Sequence, residues 1–197
     1  MFNFYNFWCH QKGLIKEGED YHARFKQDVK NGKRREQLNK EYYQQFRHVF
    51  LEELFHYGKQ WFHACLNETN FIDSTVKALR GHQQMGETVV FVSGSMLPIL
   101  QPLANALNVE HVLCAPLIVD GHGILTGEIG IPQTTGAGKR EAVLSFCRHK
   151  GFQPENCYAY GDDISDVPML EITGHPVCVG GNKQLLDYAE RKGWRHI

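Results

Sequence analysis

No apolar run in this chain approaches the length of a membrane span, so membrane insertion is not expected. Neither sign of charge is in excess: 21 lysines and arginines face 22 acidic residues, a net charge of −1. A near-neutral chain has no electrostatic footprint for nucleic acid or for an anionic bilayer. The single basic run, Lys30 to Arg35, is short and sits among polar helical residues, as a solvated helix end or loop would. The six cysteines include no C-x-x-C pair and no zinc-finger spacing with histidine. Several lie in apolar runs, which predicts buried free thiols and, with no signal peptide visible, a reducing cytoplasm. The eleven histidines form no H-E-x-x-H and no tight cluster with aspartate, so a histidine-built metal site is not expected. Proline is absent from residues 1–70.

What is present divides into two textures. Residues 1–70 are aromatic and charged, and read as a helical bundle. A first helix carries Phe4 and Trp8 and stops near Gly13. A second runs from Glu17 to about Val29. A long third segment, Arg35 to about Cys65, places Tyr42, Phe46, Phe50, Leu54 and Phe55 on one face. The aromatics Phe2, Phe4, Tyr5, Phe7 and Trp8 either pack this bundle, the preferred reading, or form a contact surface. From about residue 71 helices and strands alternate. Phe71 to His82 is helical, Thr88 to Val92 is a buried strand, and Pro98 falls near a helix start. Leu117–Val119 and Ile124–Thr126 flank a glycine turn as a hairpin, and Lys139 to His149 is helical. The strands Cys157–Tyr160 and Pro176–Val179 and the helix Lys183–Arg191 follow. Strand, helix, strand, helix predicts a parallel sheet covered on both faces. The expected division is therefore a helical domain, 1–70, and an α/β domain, 71–197.

Three features lie where open parallel sheets place their sites, at strand ends or helix starts. Ser93-Gly94-Ser95 follows a strand: a hydroxyl there can bond a phosphoryl oxygen and Gly94 lets the backbone come close, although a plain strand-to-helix turn reads the same way. Lys139 opens a helix after Gly136-Ala137-Gly138, where a cation opposes the helix dipole but could neutralise a phosphate. Gly161-Asp162-Asp163-Ile164-Ser165-Asp166 crowds carboxylates after a buried strand. A helical turn would put Asp162 and Asp166 on one side, where oxygen ligands suit Mg²⁺, while an acid-rich helix start is the alternative.

Together, Val90-Phe91-Val92-Ser93-Gly94, Lys139 and Gly161-Asp162-x-x-x-Asp166-x-x-Met169-Leu170 resemble the second, third and fourth motifs of the haloacid dehalogenase (HAD) superfamily. The helical segment ahead of them and the ending from His175 to Trp194 are similar to its phosphoserine-phosphatase-like subgroup. The resemblance implies an α/β fold, a Rossmann-like parallel sheet with a helical cap, and a Mg²⁺-dependent phosphomonoesterase working through an aspartyl-phosphate. It assigns phosphate binding to Ser93, Gly94 and Lys139, with Ser93 and Lys139 serving the catalysis, and metal binding to Asp162 and Asp166. Ser165 stands where the subgroup often has asparagine. The implied partner is a small phosphorylated metabolite such as phosphoserine, with no nucleic acid and no membrane; a homodimer is left open. Phosphoryl transfer to another acceptor and dehalogenation are further chemistries of the same scaffold.

The chain departs from the family in its first motif, D-x-D-x-T, which supplies the nucleophilic aspartate: no D-x-D occurs here. Asp20 and Asp28 lie in the helical half, Asp73 opens a helix, Asp120 sits in the hairpin turn and Asp187 is on the last helix. Met1 falls about where the cap's first helix begins, so the first central strand is expected to be missing. A misassigned start or a truncation is the preferred explanation. A pseudophosphatase that binds a phosphorylated ligand or a partner protein, and a strand supplied by another polypeptide, are the alternatives.

Overall fold

A computed structural model of the protein describes residues 2–66 and 70–197. Four helices come first: α1 (Phe2–Lys12), α2 (Ile15–Lys30), α3 (Arg35–Gln44) and α4 (Leu51–Cys65). Gly13, at φ 72°, reverses the chain after α1 in a conformation that residues with a Cβ avoid. The expected single helix from Arg35 to Cys65 is two helices. Between them His48 takes φ 68° and the backbone leaves the helical ladder for a tertiary partner. His48 N–H donates to Leu125 O (2.9 Å) and Leu125 N–H to Val49 O (2.8 Å). These bonds replace the helical ones lost at the break, so continuous helix propensity is overruled by pairing.

The aromatics of α1 point inward. Phe4, Tyr5 and Trp8 are buried with Tyr21, Tyr42, Phe46, Leu54 and Trp61. This agrees with packing rather than a contact surface for those three; Phe7 is partly buried against the cluster, and the side chain of Phe2 lies outside the described residues. The same apolar cluster continues into Met96, Ile99, Ala115 and Leu125, so the helical layer shares its core with the second half of the chain. At the tightest point, a Cβ on Gly58 of α4 would lie 2.1 Å from the Pro98 carbonyl oxygen.

The second half runs α5 (Asp73–Gln84), β1 (Val90–Ser93), α6 (Leu97–Ala106), β2 (His111–Cys114), β3 (Leu117–Val119), β4 (Leu125–Ile129), α7 (Ala137–Lys150), β5 (Tyr158–Gly161), α8 (Val167–Leu170), β6 (His175–Cys178), α9 (Lys183–Lys192) and β7 (Arg195–His196). β3 and β4 form the expected antiparallel hairpin. The parallel sheet is in two pieces, β1–β2 and β5–β6–β7, with no strand between β1 and β5 among the described residues. This gap agrees with the sequence expectation that the first central strand is missing. Each residue of β1 is only partly buried although the strand is almost wholly apolar, and Tyr158 of β5 is 45% exposed. Strands of this composition are ordinarily covered on both faces and paired on both edges. No described helix is long and apolar enough to cross a membrane. All six thiols are free: Cys9, Cys147 and Cys178 are buried, Cys114 and Cys157 half-buried and Cys65 exposed.

Candidate active site

The carboxyl ends of β1 and β5 and the start of α7 carry the residues singled out by sequence. Lys139 and Asp166 meet: Lys139 Nζ lies 2.6 Å from Asp166 Oδ1, with the two side chains only 15% and 3% exposed. The other oxygen of Asp166 accepts from the Asp162 N–H at 3.2 Å. A cation near a helix start, unfavourable on its own, is thus neutralised by a buried carboxylate from the loop after β5. Asp162 itself is exposed, so the two aspartates do not present matching oxygens: one is committed to lysine and amide, the other faces solvent.

Asp163 is the hub of this loop. It accepts from the Ser165 hydroxyl (2.7 Å) and Ser165 N–H (3.0 Å) on one oxygen and from Asn182 Nδ2 (3.3 Å) on the other. Arg35, in the run read as solvated, reaches it at 3.6 Å from the start of α3, with its side chain 60% exposed. Burial opposes the charge of Asp163, but the Ser165 hydrogen bonds outweigh it, helped by Arg35 and Lys139. The carboxyl is held below its ordinary range.

Ser93 and Gly94 sit against the loop that leads into α7. Ser93 Oγ accepts from Ser95 N–H (3.1 Å), which leaves its own proton available to a ligand. A Cβ on Gly94 would approach Thr135 Oγ1 at 3.1 Å and the Thr134 carbonyl at 3.2 Å, so a larger residue would press these segments apart. Asn39, in the middle of α3, donates to Gly94 O at 2.9 Å and ties the helical layer to the site. Asn39, Thr134 and Thr135 are each at least nine-tenths buried. Asn39 Oδ1 and both threonine hydroxyls find no protein partner, nor does the Ser95 hydroxyl. Sequence reasoning missed this polar group. The available signals were an asparagine on the buried face of an amphipathic helix and a Thr-Thr pair just ahead of Gly136-Ala137-Gly138-Lys139.

Three of the remaining aspartates have local roles elsewhere. Asp120 Oδ1 accepts from His122 and Ile124 N–H in the β3–β4 turn, Asp28 pairs with Lys33 at 2.9 Å, and Asp73 lies in the first turn of α5.

The fold family implied by sequence calls for a divalent cation here. The oxygen chemistry of Asp162 and Asp166 suits Mg²⁺. However, Asp166 is already held by Lys139, and the described residues contain no group of three histidine, cysteine, aspartate or glutamate side chains placed to hold a metal. The residues present therefore do not fit a complete Mg²⁺ site.

Comparison with known proteins agrees on the fold. A profile described as haloacid dehalogenase-like hydrolase matches residues 1–171. A probable phosphatase of Mycobacterium tuberculosis is 37% identical over 116 residues, 59% of this chain and 40% of that protein. The chain thus spans less than half the length of such curated relatives. Among solved structures, a protein of unknown function from Bordetella pertussis Tohama I superposes with a TM-score of 0.87 at 20% identity, covering 98% of this chain and 88% of that one. A substrate-bound phosphoserine phosphatase superposes at 0.66 and 17% identity, covering 98% and 85%.

Proposed function

This chain belongs to the haloacid dehalogenase-like hydrolase family, and on that premise we propose that it carries the phosphoryl-binding half of a phosphomonoesterase site for a small phosphorylated metabolite. One observation supports this most directly: a lysine near the start of α7 is buried against Asp166, beside a strand end that offers a free serine proton and a glycine backbone. Lys139 keeps donors beyond the one it gives Asp166. Ser93 donates to a phosphoryl oxygen, Gly94 permits its close approach, and the first amides of α7 add positive potential. Arg35, at the mouth of the site, is placed to meet a second negative group on the ligand. The tie from Asn39 to Gly94 keeps the helical layer over the strand end, which supports a small substrate rather than a macromolecule.

Hydrolysis also needs an in-line nucleophile, and the sequence holds no D-x-D; outside the Asp162–Asp166 loop the Glu36 carboxylate lies beside Gly136, but it comes from helix α3 and not from a strand end. That observation favours a second reading, recognition of a phosphorylated ligand or partner without turnover. Mg²⁺ belongs to the first reading only when a further carboxylate joins Asp162.

The test uses a version with a strand ending in D-x-D fused ahead of residue 1. It should hydrolyse phosphoserine or another small phosphomonoester when Mg²⁺ is added, and lose at least a hundredfold in kcat/KM on Lys139→Ala. Failure on every phosphomonoester tried refutes the first reading. Calorimetric binding of a phosphorylated metabolite without turnover establishes the second.

A further inference from the structure

Two of the six thiols meet. Cys147 lies near the end of α7, and Cys157 immediately precedes β5, ten residues later. The chain between them reverses tightly. Gly151 takes φ 73° just past α7, and Phe152 N–H donates to Cys147 O at 2.9 Å. A single 3₁₀ turn, Pro154–Asn156, follows, and Cys157 N–H donates to Pro154 O at 2.9 Å. This reversal brings the two side chains into contact. The Cys147 S–H donates to the Cys157 sulfur, and the Cys157 S–H donates to the Gln153 carbonyl at 3.3 Å. Both residues also line the same cavity. Cys147 is buried. Cys157 is half-buried, at the end of a loop whose Gly151, Gln153, Glu155 and Asn156 are exposed.

We propose that Cys147 and Cys157 form a reversible dithiol–disulfide switch, oxidised by a small-molecule disulfide of the glutathione type, that braces α7 against β5. Cys157, the more exposed of the two, attacks one sulfur of the oxidant. A mixed disulfide forms and the first small thiol leaves. Cys147 gives its proton to solvent and attacks the Cys157 sulfur. The Cys147–Cys157 bond closes and the second small thiol leaves. Two protein thiols are oxidised, and one small disulfide is reduced to two thiols. Burial, with Cys157 beside it, pushes the Cys147 thiol up to about 11, so the first attack falls to Cys157. A thiol-held metal is disfavoured, because no group of three histidine, cysteine, aspartate or glutamate side chains is placed for one among the described residues. The link joins the far ends of the two elements that carry the Lys139–Asp166 pair: Lys139 lies in the first turn of α7, and β5 runs into the loop of Asp166. The switch rests on residues of α7 and of the loop into β5, and is independent of the phosphatase reading and of what stands between β1 and β5.

The test equilibrates the reduced 197-residue protein with glutathione disulfide, unfolds it in N-ethylmaleimide and maps its peptides. The major product should be a peptide pair joined through Cys147 and Cys157, lost again on dithiothreitol. The crosslink removes conformational freedom from the unfolded chain, so the urea midpoint of the oxidised protein should rise by about 1 M. Cys147→Ser should trap glutathione on Cys157, and Cys157→Ser should leave Cys147 free. In the parent, recovery of both residues as maleimide adducts overturns the proposal, and so does glutathione retained on Cys157. A link from either residue to another cysteine overturns it as well, and a correct link with an unchanged urea midpoint overturns the brace. The parent's peptide map decides the question even where a variant fails to fold.

Discussion

Replacing Lys139 by methionine removes the ammonium from Asp166 and leaves that carboxylate, 3% exposed, with only the Asp162 amide as a partner. Breaking a buried ion pair from one side costs about 3–5 kcal/mol, because the surviving charge stays desolvated. The lysine side chain is 15% exposed, so water softens the loss and the lower end, about 3 kcal/mol, is expected. For a chain of this size that lowers Tm by about 6–12 °C. The discriminating variant is the double substitution Lys139→Met with Asp166→Asn. It buries no charge, and the new amide oxygen still accepts from Asp162 N–H. It should return to within about 1 kcal/mol of the parent, since neutral replacement of a buried pair is often nearly free. Urea unfolding of the four proteins of the cycle, read at constant m-value, measures both quantities. A single mutant within about 1 kcal/mol of the parent, or a double mutant less stable than the single, would refute the claim that this pair is held by mutual neutralisation.

Gly58→Ala places a Cβ 2.1 Å from the Pro98 carbonyl and should cost about 1–3 kcal/mol by forcing α4 and α6 apart, measurable in the same urea assay. Leu54→Ala, at a position fully buried in the helical cluster, should cost about 2–5 kcal/mol. Burial pushes the Cys114 thiol up to about 11. The folded state therefore holds that proton more tightly than the unfolded chain. The resulting stability is complete below about pH 9, the ordinary thiol value, and is lost as pH rises through 11. Cys114→Ser should flatten the fall in stability between those values, which unfolding curves at pH 8 and pH 10.5 would reveal. Calorimetric titration of Mg²⁺ into these 197 residues should show no tight site, because Asp166 is already occupied by Lys139; micromolar binding abolished by Asp162→Asn would contradict this.

The local signals in the sequence carried most of the element order. Glycine stops, Pro98 at a helix start and the alternation around Asp120 correspond to observed boundaries because they act through backbone conformation within a few residues. What sequence could not show were effects set by distant partners. Nothing near His48 announces a break, because it is the far hairpin at Leu125 that draws the backbone out of the helix. By contrast, the partial burial of Val90–Val92 was legible, because the absent first motif already implied a missing neighbour for this apolar strand. At the site, the residue types of Ser93, Gly94, Lys139, Asp162 and Asp166 were legible, but their pairing was not. Spacing suggested two carboxylates working together, whereas the fold gives one of them to lysine. Asn39 and Thr135 carried only weak local signals, because their meaning comes from Gly94, a residue far from both in sequence.

The exchange of backbone hydrogen bonds between the 48–51 segment and the hairpin has a mechanical consequence. His48 N–H to Leu125 O, Leu125 N–H to Val49 O and Leu51 N–H to Gly123 O (3.0 Å) knit the α3–α4 joint to β4 and its turn, and Tyr43 anchors the same region through its hydroxyl on Ala115 O (3.1 Å). Shearing this seam would break several bonds at once, so the hairpin and the helices should travel together whenever the site opens. The flexing points are then displaced to the segments that join the hairpin to its neighbours, near Ala115–Pro116 and Gly130–Gln133. A transplant of the helical layer onto a related core would have to carry residues 115–130 with it to remain a coherent lever.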